Sequence, residues 1–334
     1  MNEKRILISR PDRIGDVVLS TSLPEEIKRK YPDSFIAILA RTYTRDIYLN
    51  NPFVDEILLI DEPGMTSFKL VKKIRKLKLS HAIMLLPTER INWMLFFSGI
   101  KIRIGVGHKF YQFITNTKSI YRRKQIPLRH EADYCADAVR KLGIEITSLD
   151  SRIYLDDDEI TKAGKIKRTH CPSGELLIGI NSTSGNSAPN ISAAEYAKAV
   201  KLFAAHKEIK VAVTDLVIPD ELKNIPGVIY LNEGLPLRES IINFAVLDLL
   251  ISASTGPMHI ASALKVPTLS LFCPLPGCSP ELWRPRGNMQ DFIFPEPDYC
   301  SVNCPGDPKK CSFSGDKGIN GEIVYQRGLK FFAK

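Results

Sequence analysis

The sequence predicts an α/β protein built from two Rossmann-like domains, and three observations carry that expectation. Short apolar runs alternate with amphipathic stretches along most of the chain, the pattern of parallel strands joined by crossover helices. A strand-turn-helix unit opens the chain at residues 5–16, and a second, denser one fills residues 246–272. At 334 residues the chain is too long for one ordinary core and suits two domains of about 150 residues each.

Residues 5–9 (RILIS) read as the first strand. A turn at 11–15 follows, then a helix from about Asp16 with Val17, Val18, Leu23 and Ile27 on its inward face. Residues 36–40 (IAILA) and 54–60 (VDEILLI) are the next strands, with a helix over 42–49 between them. An amphipathic basic helix at 67–77, a buried strand at 81–86, a helix at 91–98 and a strand at 101–106 continue the alternation. Residues 147–173, with DDDE, a Lys/Arg-rich helix and HCPSG, read as a linker, so the domains are expected at 1–160 and 174–334. The second half opens with a strand at 176–180 and a polar loop, NSTSGNSAPN, in which the hydroxyls of Thr183 and Ser184 suit a phosphate. A helix at 191–206, strands at 209–213 and 228–231 and a helix at 237–247 lead to the dense unit.

That unit begins with the apolar run Leu249, Leu250 and Ile251, which small hydroxyl residues then interrupt. Pro257 suits a first helical turn, because its missing N–H would be unpaired there anyway, so a helix is expected from Ser254 or Thr255 to Ala263 or Leu264. Its N-terminal N–H groups and dipole would stabilise a phosphate at the strand's C-terminal edge, with His259 near the mouth. An ordinary N-cap and a packed histidine are the plain alternative. The opening unit lacks G-x-G-x-x-G, which argues against a dinucleotide site there.

Composition bounds the rest. A hydrophobic content of 44% with 25% charged residues belongs to a soluble globular protein. No apolar run approaches the roughly 18 residues of a membrane span, and MNEKRILISR lacks a signal-peptide pattern, so a cytoplasmic protein is expected. The net charge of +9 is uneven, because no acidic residue lies between Glu89 and Glu131. Arg90, Lys101, Arg103, Lys109, Lys118, Arg122, Arg123, Lys124 and Arg129 fall in that gap. Such a stretch is either a solvated face or a field for phosphate-rich partners: an anionic membrane surface or a phosphorylated lipid-linked sugar. Nucleic acid is disfavoured, as no RNA-binding aromatic signature, helix-turn-helix or zinc-finger spacing is present. Seven cysteines without an export signal argue against a disulfide framework, and the late C-x3-C-x6-C lacks the paired C-x2-C knuckles of common zinc sites, so no metal is expected.

S-T-G-P-M-H followed by I-A-S-A-L-K-V-P-T resembles the nucleotide-binding signature of the family nine glycosyltransferases, the bacterial ADP-heptose:lipopolysaccharide heptosyltransferases. Thr255, Gly256, Pro257 and His259 match, and Ser254 stands where an aspartate is usual. The opening is similar to the family's R-x-D-R-x-G-D, with Arg10, Asp12, Arg13, Gly15 and Asp16 in place. The resemblance implies a GT-B fold, two Rossmann-like domains facing a central cleft, with residues 130–146 as the helix closing the first. It also implies inverting, metal-independent transfer with Asp16 as catalytic base. Thr183, Ser184, Ser254, Thr255, Gly256, Pro257 and His259 would bind the donor nucleotide-diphosphate sugar, ADP-heptose by resemblance. With Arg13 and Gly15 of the opening motif, Arg90, Lys101, Arg103 and Lys109 of the acid-free stretch would, on their charge, bind an anionic glycolipid acceptor of the lipopolysaccharide core, with peripheral contact at the inner membrane surface. Two departures mark the donor side: Ser254 replaces the usual aspartate, and the basic residue family members often carry before the first C-terminal helix is absent from 187–191; Thr214-Asp215-Leu216, where a glycine-rich loop is usual, adds to them. They motivate a rival reading, a non-catalytic sugar-nucleotide-binding or partner protein with a decayed donor site. A metal-dependent or redox protein built on the late cysteines is a further rival.

Overall fold

A computed structural model describes residues 4–122 and 128–332, so Arg123 and Lys124 of the acid-free stretch lie outside the described residues. The chain divides into two compact units, Met1–Tyr154 and Leu155–Lys334. Each is built on a six-stranded, all-parallel sheet.

In the first unit β1 (Arg5–Ser9), β2 (Phe35–Ala40), β3 (Glu56–Leu59), β4 (His81–Met84), β5 (Ile102–Val106) and β6 (Lys118–Ile120) line up in the order β3-β2-β1-β4-β5-β6. Ile6, Ile8, Ile36, Ile38 and Ile83 are fully buried on one face of the sheet, while Leu7, Ala37, Leu39 and Ala82 join the core formed with the flanking helices. Burial on both faces is why these strands read as unbroken apolar runs. The helices are α1 (Ile14–Val18), α2 (Leu23–Lys30), α3 (Ser67–Lys76), α4 (Glu89–Phe97), α5 (Phe110–Ile114) and α6 (Glu131–Arg140), and Thr42–Ile47 is a 3-10 helix. The helix expected from Asp16 onward is thus divided in two. Ser20 Oγ and Thr21 Oγ1 donate to the carbonyls of Val17 and Val18, each at 2.8 Å, and draw the chain out of the helical ladder before Pro24 opens α2.

In the second unit α7 (Asp157–His170) precedes β7 (Leu176–Asn181), α8 (Ala193–Ala204), β8 (Ile209–Val213), β9 (Val228–Tyr230), α9 (Leu237–Phe244), β10 (Leu249–Ala253), α10 (Gly256–Ala263) and β11 (Thr268–Leu271). Then follow α11 (Pro280–Trp283), β12 (Gln290–Ile293), α12 (Tyr299–Asn303) and α13 (Gly321–Leu329). The sheet order, β9-β8-β7-β10-β11-β12, repeats that of the first unit. The Lys/Arg-rich helix of the expected linker, α7, packs within this unit: Arg238 grips Glu159 through Nε and Nη2, both at 2.6 Å, and Lys162 and Lys167 pair with Glu239 and Asp248. At the end of the chain α13 returns to α8, where Gly321 and Gly328 permit a close approach. A Cβ on Gly321 would lie 2.2 Å from the Glu195 carbonyl oxygen.

Both sheets carry the doubly wound order, in which the direction of strand addition reverses beside the first strand while every strand stays parallel. The reversal leaves a crevice at the C-terminal edge, between β1 and β4 in one unit and β7 and β10 in the other.

Candidate active site

In the first unit the β1–α1 loop emerges at that crevice. Arg10 is 2% exposed, and its guanidinium organises the loop around it. Nη1 donates to the Leu85 carbonyl beyond β4 at 3.2 Å, Nη2 donates to Asp16 Oδ1 at 2.8 Å and to Glu131 Oε1 at 3.2 Å, and Nε donates to the Asp16 carbonyl at 3.3 Å. Burial works against the cation, yet Cys135, Asp16, Glu131 and Asp12 around it hold Arg10 protonated beyond the usual guanidinium range. Glu131, the first residue of α6, is itself gripped by Arg122 through two hydrogen bonds, and Arg122 stacks 4.4 Å from the Tyr134 ring centre. Arg41 and Tyr43 fix the loop backbone by donating to the Pro11 and Asp12 carbonyls at 3.0 and 2.8 Å.

Asp16 lies in the first turn of α1, half-buried. Burial pushes its carboxyl up to about 6; the charges of Asp12 and Glu131 push the same way, while Arg10 and Arg13 oppose them. One oxygen is held by Arg10, and among the described residues the other accepts no hydrogen bond. A carboxylate oriented on one side, open on the other and more basic than usual is suited to take a proton.

The proposed acceptor residues do not form one group. Arg13, Gly15, Arg90 and Lys109 follow the C-terminal ends of β1, β4 and β5, the edge that carries Asp16. Lys101 precedes β5 and therefore belongs to the opposite edge. Arg103 is buried, with Nη1 and Nη2 donating to the carbonyls of Ile100 and Thr115 and the Phe96 ring 5.2 Å away. The expectation that it faces an acceptor is corrected: on a strand inside the α/β layer its side chain points inward, where it fastens β5 to α5.

In the second unit the C-terminal ends of β7, β8 and β10 carry the candidate donor residues. Asp215, beyond β8, is fully buried. Its carboxylate accepts from the N–H groups of Ser182 and Thr183 at 2.8–3.0 Å and from their hydroxyls at 2.9 and 2.6 Å. Asn190 Nδ2 secures the same loop through the Ser182 carbonyl at 2.6 Å and is held in turn by the Tyr196 hydroxyl at 2.8 Å. The departure at 214–216 is thus the residue that fixes the phosphate-loop candidate. The Thr183 hydroxyl proton is given to Asp215 and leaves only oxygen lone pairs for a ligand, while Ser184 is half-buried beside it.

At β10 the N-cap is Thr255, whose hydroxyl turns back to the Ala253 carbonyl at 3.4 Å and forms no capping bond to α10. Ser254, Gly256 and Pro257 are half-buried at this helix mouth, and Gly256 is not among the left-handed residues, so its small size rather than its backbone freedom matters here. His259 is buried in the second turn of α10. The cysteines are all free thiols; Cys273 and Cys278 are hydrogen-bonded neighbours, and Cys278, Cys300 and Cys311 pack on the core of this unit. Among the described residues no group of three or more His, Cys, Asp or Glu could hold a metal ion.

Residues 191–303 match the profile of glycosyltransferase family 9 (heptosyltransferase). That span contains α8 through α12, including the α10 mouth. Sequence and fold both place this chain's likeness with family 9. A Haemophilus influenzae protein, whose assignment as a glycosyltransferase is itself provisional, is 25% identical over 316 residues, covering 87% of this chain and 88% of that one. The family 9 glycosyltransferase of Veillonella parvula superposes with a TM-score of 0.80 at 21% identity, over 98% of this chain and 95% of that chain. The ADP-heptose lipopolysaccharide heptosyltransferase II of Escherichia coli gives 0.73 at 18% identity, over 98% of each. The family 9 likeness supports a glycosyltransferase with two Rossmann-like units of GT-B type.

Sequence reasoning missed Glu131 and Arg122 as parts of the Asp16 environment and Asp215 as the anchor of the donor loop. The spacing of Glu131 from Arg10, 121 residues away, carries no local signal.

Proposed function

We propose that this protein is an inverting glycosyltransferase that moves a heptose or related sugar from a nucleotide diphosphate, ADP-heptose by resemblance, onto an anionic glycolipid of the lipopolysaccharide core. It works in the cytoplasm, in peripheral contact with the inner membrane surface. The observation that carries the reading is the Asp16 carboxyl, raised to about 6 by burial and held by Arg10 on one oxygen only. It accepts the proton of the acceptor hydroxyl as that oxygen attacks the anomeric carbon, and the bond to the diphosphate breaks on the opposite face. The leaving diphosphate takes its negative charge to the N–H groups and positive dipole end of α10, aided by the hydroxyl protons of Ser254 and Ser184, while the Thr183 hydroxyl is committed to Asp215. Arg13, Arg90 and Lys109, at the same sheet edge as Asp16, attract the acceptor's anionic groups.

Binding without transfer is the competing reading, drawn from Ser254 and from the absence of a basic residue at 187–191. The environment built around Asp16 argues against it, since a binding protein has no use for a basic carboxylate kept open on one side. The test is acceptor-dependent release of the nucleoside diphosphate from ADP-heptose, in chelator. Release by the parent chain and none by Asp16→Asn supports transfer; nucleotide binding with no release by the parent overturns it.

A further inference from the structure

α5 and the edge strand β6 carry a feature that transfer does not require. Phe110 and Phe113, three apart on a single helical face, are 78% and 84% exposed, and Ile114 beside them is 51% exposed. Tyr121, just beyond β6, is also exposed and lies 5.5 Å from the His108 ring. Rings standing this far into solvent cost hydration free energy that a buried position would recover. The short helix is nonetheless rigidly placed. Asn92 Nδ2 donates to Thr115 Oγ1 at 2.8 Å, Thr117 Oγ1 donates to Asn92 Oδ1 at 2.9 Å, and Arg103 clamps the Thr115 carbonyl. The fold therefore presents these rings rather than leaving them loose. An open cavity of about 390 Å³ lies beneath them, lined in part by Lys109, Phe110, Phe113 and Asn116.

The charge around the rings selects the partner. Lys109 and Lys118 are exposed at the two ends of the feature, and the whole stretch from Arg90 to His130 contains no carboxylate. We propose that α5 and the start of β6 form a membrane anchor, in which Phe110, Phe113 and Ile114 enter the acyl boundary of an anionic bilayer while Lys109 and Lys118 meet its phosphates. Aromatic rings with basic neighbours suit the interfacial zone, where one end of a side chain is apolar and the other wet. A protein partner would need pockets for two rings that stand clear of the surface; a fluid bilayer needs none. This anchor rests on the peripheral contact proposed above and supplies the apolar part that charge alone lacks.

The test uses the full chain without donor or acceptor, so its outcome is independent of whether transfer occurs. Vesicles of phosphatidylcholine, with and without phosphatidylglycerol, are floated with the parent, with Phe110→Ser/Phe113→Ser and with Lys109→Glu/Lys118→Glu. The parent is expected to float with the anionic vesicles. Loss of each ring lowers binding by about tenfold, and of both by about a hundredfold, while calorimetric binding of ADP is unchanged. The lysine pair variant binds more weakly and with less dependence on salt. If the double serine variant fails to fold, Phe113→Trp provides the readout: its emission shifts to the blue and is quenched by brominated acyl chains. No flotation of the parent, equal flotation of the serine variant, or absence of quenching overturns the anchor. Loss of self-association in the serine variant, without any vesicle binding by the parent, assigns the face to a protein contact instead.

Discussion

Replacing Asp16 by asparagine separates what this carboxyl does for chemistry from what it costs the fold. Burial lifts it from 3.8 to about 6, which at about 1.4 kcal/mol per tenfold change in proton affinity disfavours the charged form by on the order of 3 kcal/mol. With 21% of the side chain exposed, solvent screens part of this, and about 1–3 kcal/mol is the expected range. The folded carboxyl keeps its proton to a higher pH than the unfolded one. The folded chain therefore binds more protons between about pH 4 and pH 6, and stability falls as pH rises through that window. Asparagine removes the falling limb and retains an oxygen that accepts from Arg10 Nη2. Asp16→Asn should thus stabilise the first unit by about 1–3 kcal/mol at pH 7.5 and by almost nothing at pH 4. Urea unfolding followed through Trp93, the one tryptophan of that unit, reads the difference. Transfer should fall by about 10²–10⁴-fold with ADP affinity unchanged, and parent activity should rise with pH through about 6 to a plateau. A variant less stable than the parent at pH 7.5, or equally stabilised at both pH values, would refute the assignment of the raised carboxyl to burial.

Glu131→Gln removes one of the charges that raise Asp16, so the rising, acidic limb of the pH–rate profile should move to lower pH. Because Arg10 and Arg122 lose a buried partner, urea titration should also show a loss of about 3–5 kcal/mol. Asp215→Ala leaves the Ser182 and Thr183 N–H groups without their acceptor and should cost about 2–4 kcal/mol; ADP binding, measured by calorimetry, should weaken with it, and an unaltered affinity would detach this loop from the donor site. At the α10 mouth, ADP should bind without added metal and equally well in chelator. Gly256→Val should weaken binding by crowding the N–H groups, whereas Ser254→Asp should leave the melting curve intact and strengthen the nucleotide contact. No binding of any nucleotide by the parent would remove the transferase reading.

Strands were the most legible elements. The runs at 209–213 and 5–9 coincide with β8 and β1, because a strand covered on both faces is apolar at nearly every position, with Lys210 and Arg5 only at half-buried ones. Helix limits were less legible wherever a side chain competes with the backbone, as Ser20 and Thr21 do after α1. α5 and β6 escaped notice because five and three residues are too few to establish a period, and the run that contains them reads first as charge. Sign alone also misplaced Arg103: a count of cations carries no direction, and the strand turns this one inward. The motif residues Arg10 and Asp16 were visible as a pattern. Their coupling to Glu131 was not, since it depends on how α6 packs against β4 and β5.

The two crevices solve opposite problems with the same residue type. Asp215 accepts from two N–H groups and two hydroxyls, so its carboxylate is saturated and can only hold its loop in place. Glu131 is close to saturation too, between Arg10, Arg122 and the Cys135 thiol at 3.7 Å. Asp16 alone among the three has a single side-chain donor and an oxygen left over. A proton acceptor needs an available lone pair and an affinity near the working pH, and both follow here from incomplete satisfaction in a half-buried place. Sequence position would allow any of these carboxylates to serve. On the proposed reading, the number of donors around each one leaves Asp16, of the three, able to take a proton from a substrate, while Glu131 and Asp215 each hold their own neighbours in place.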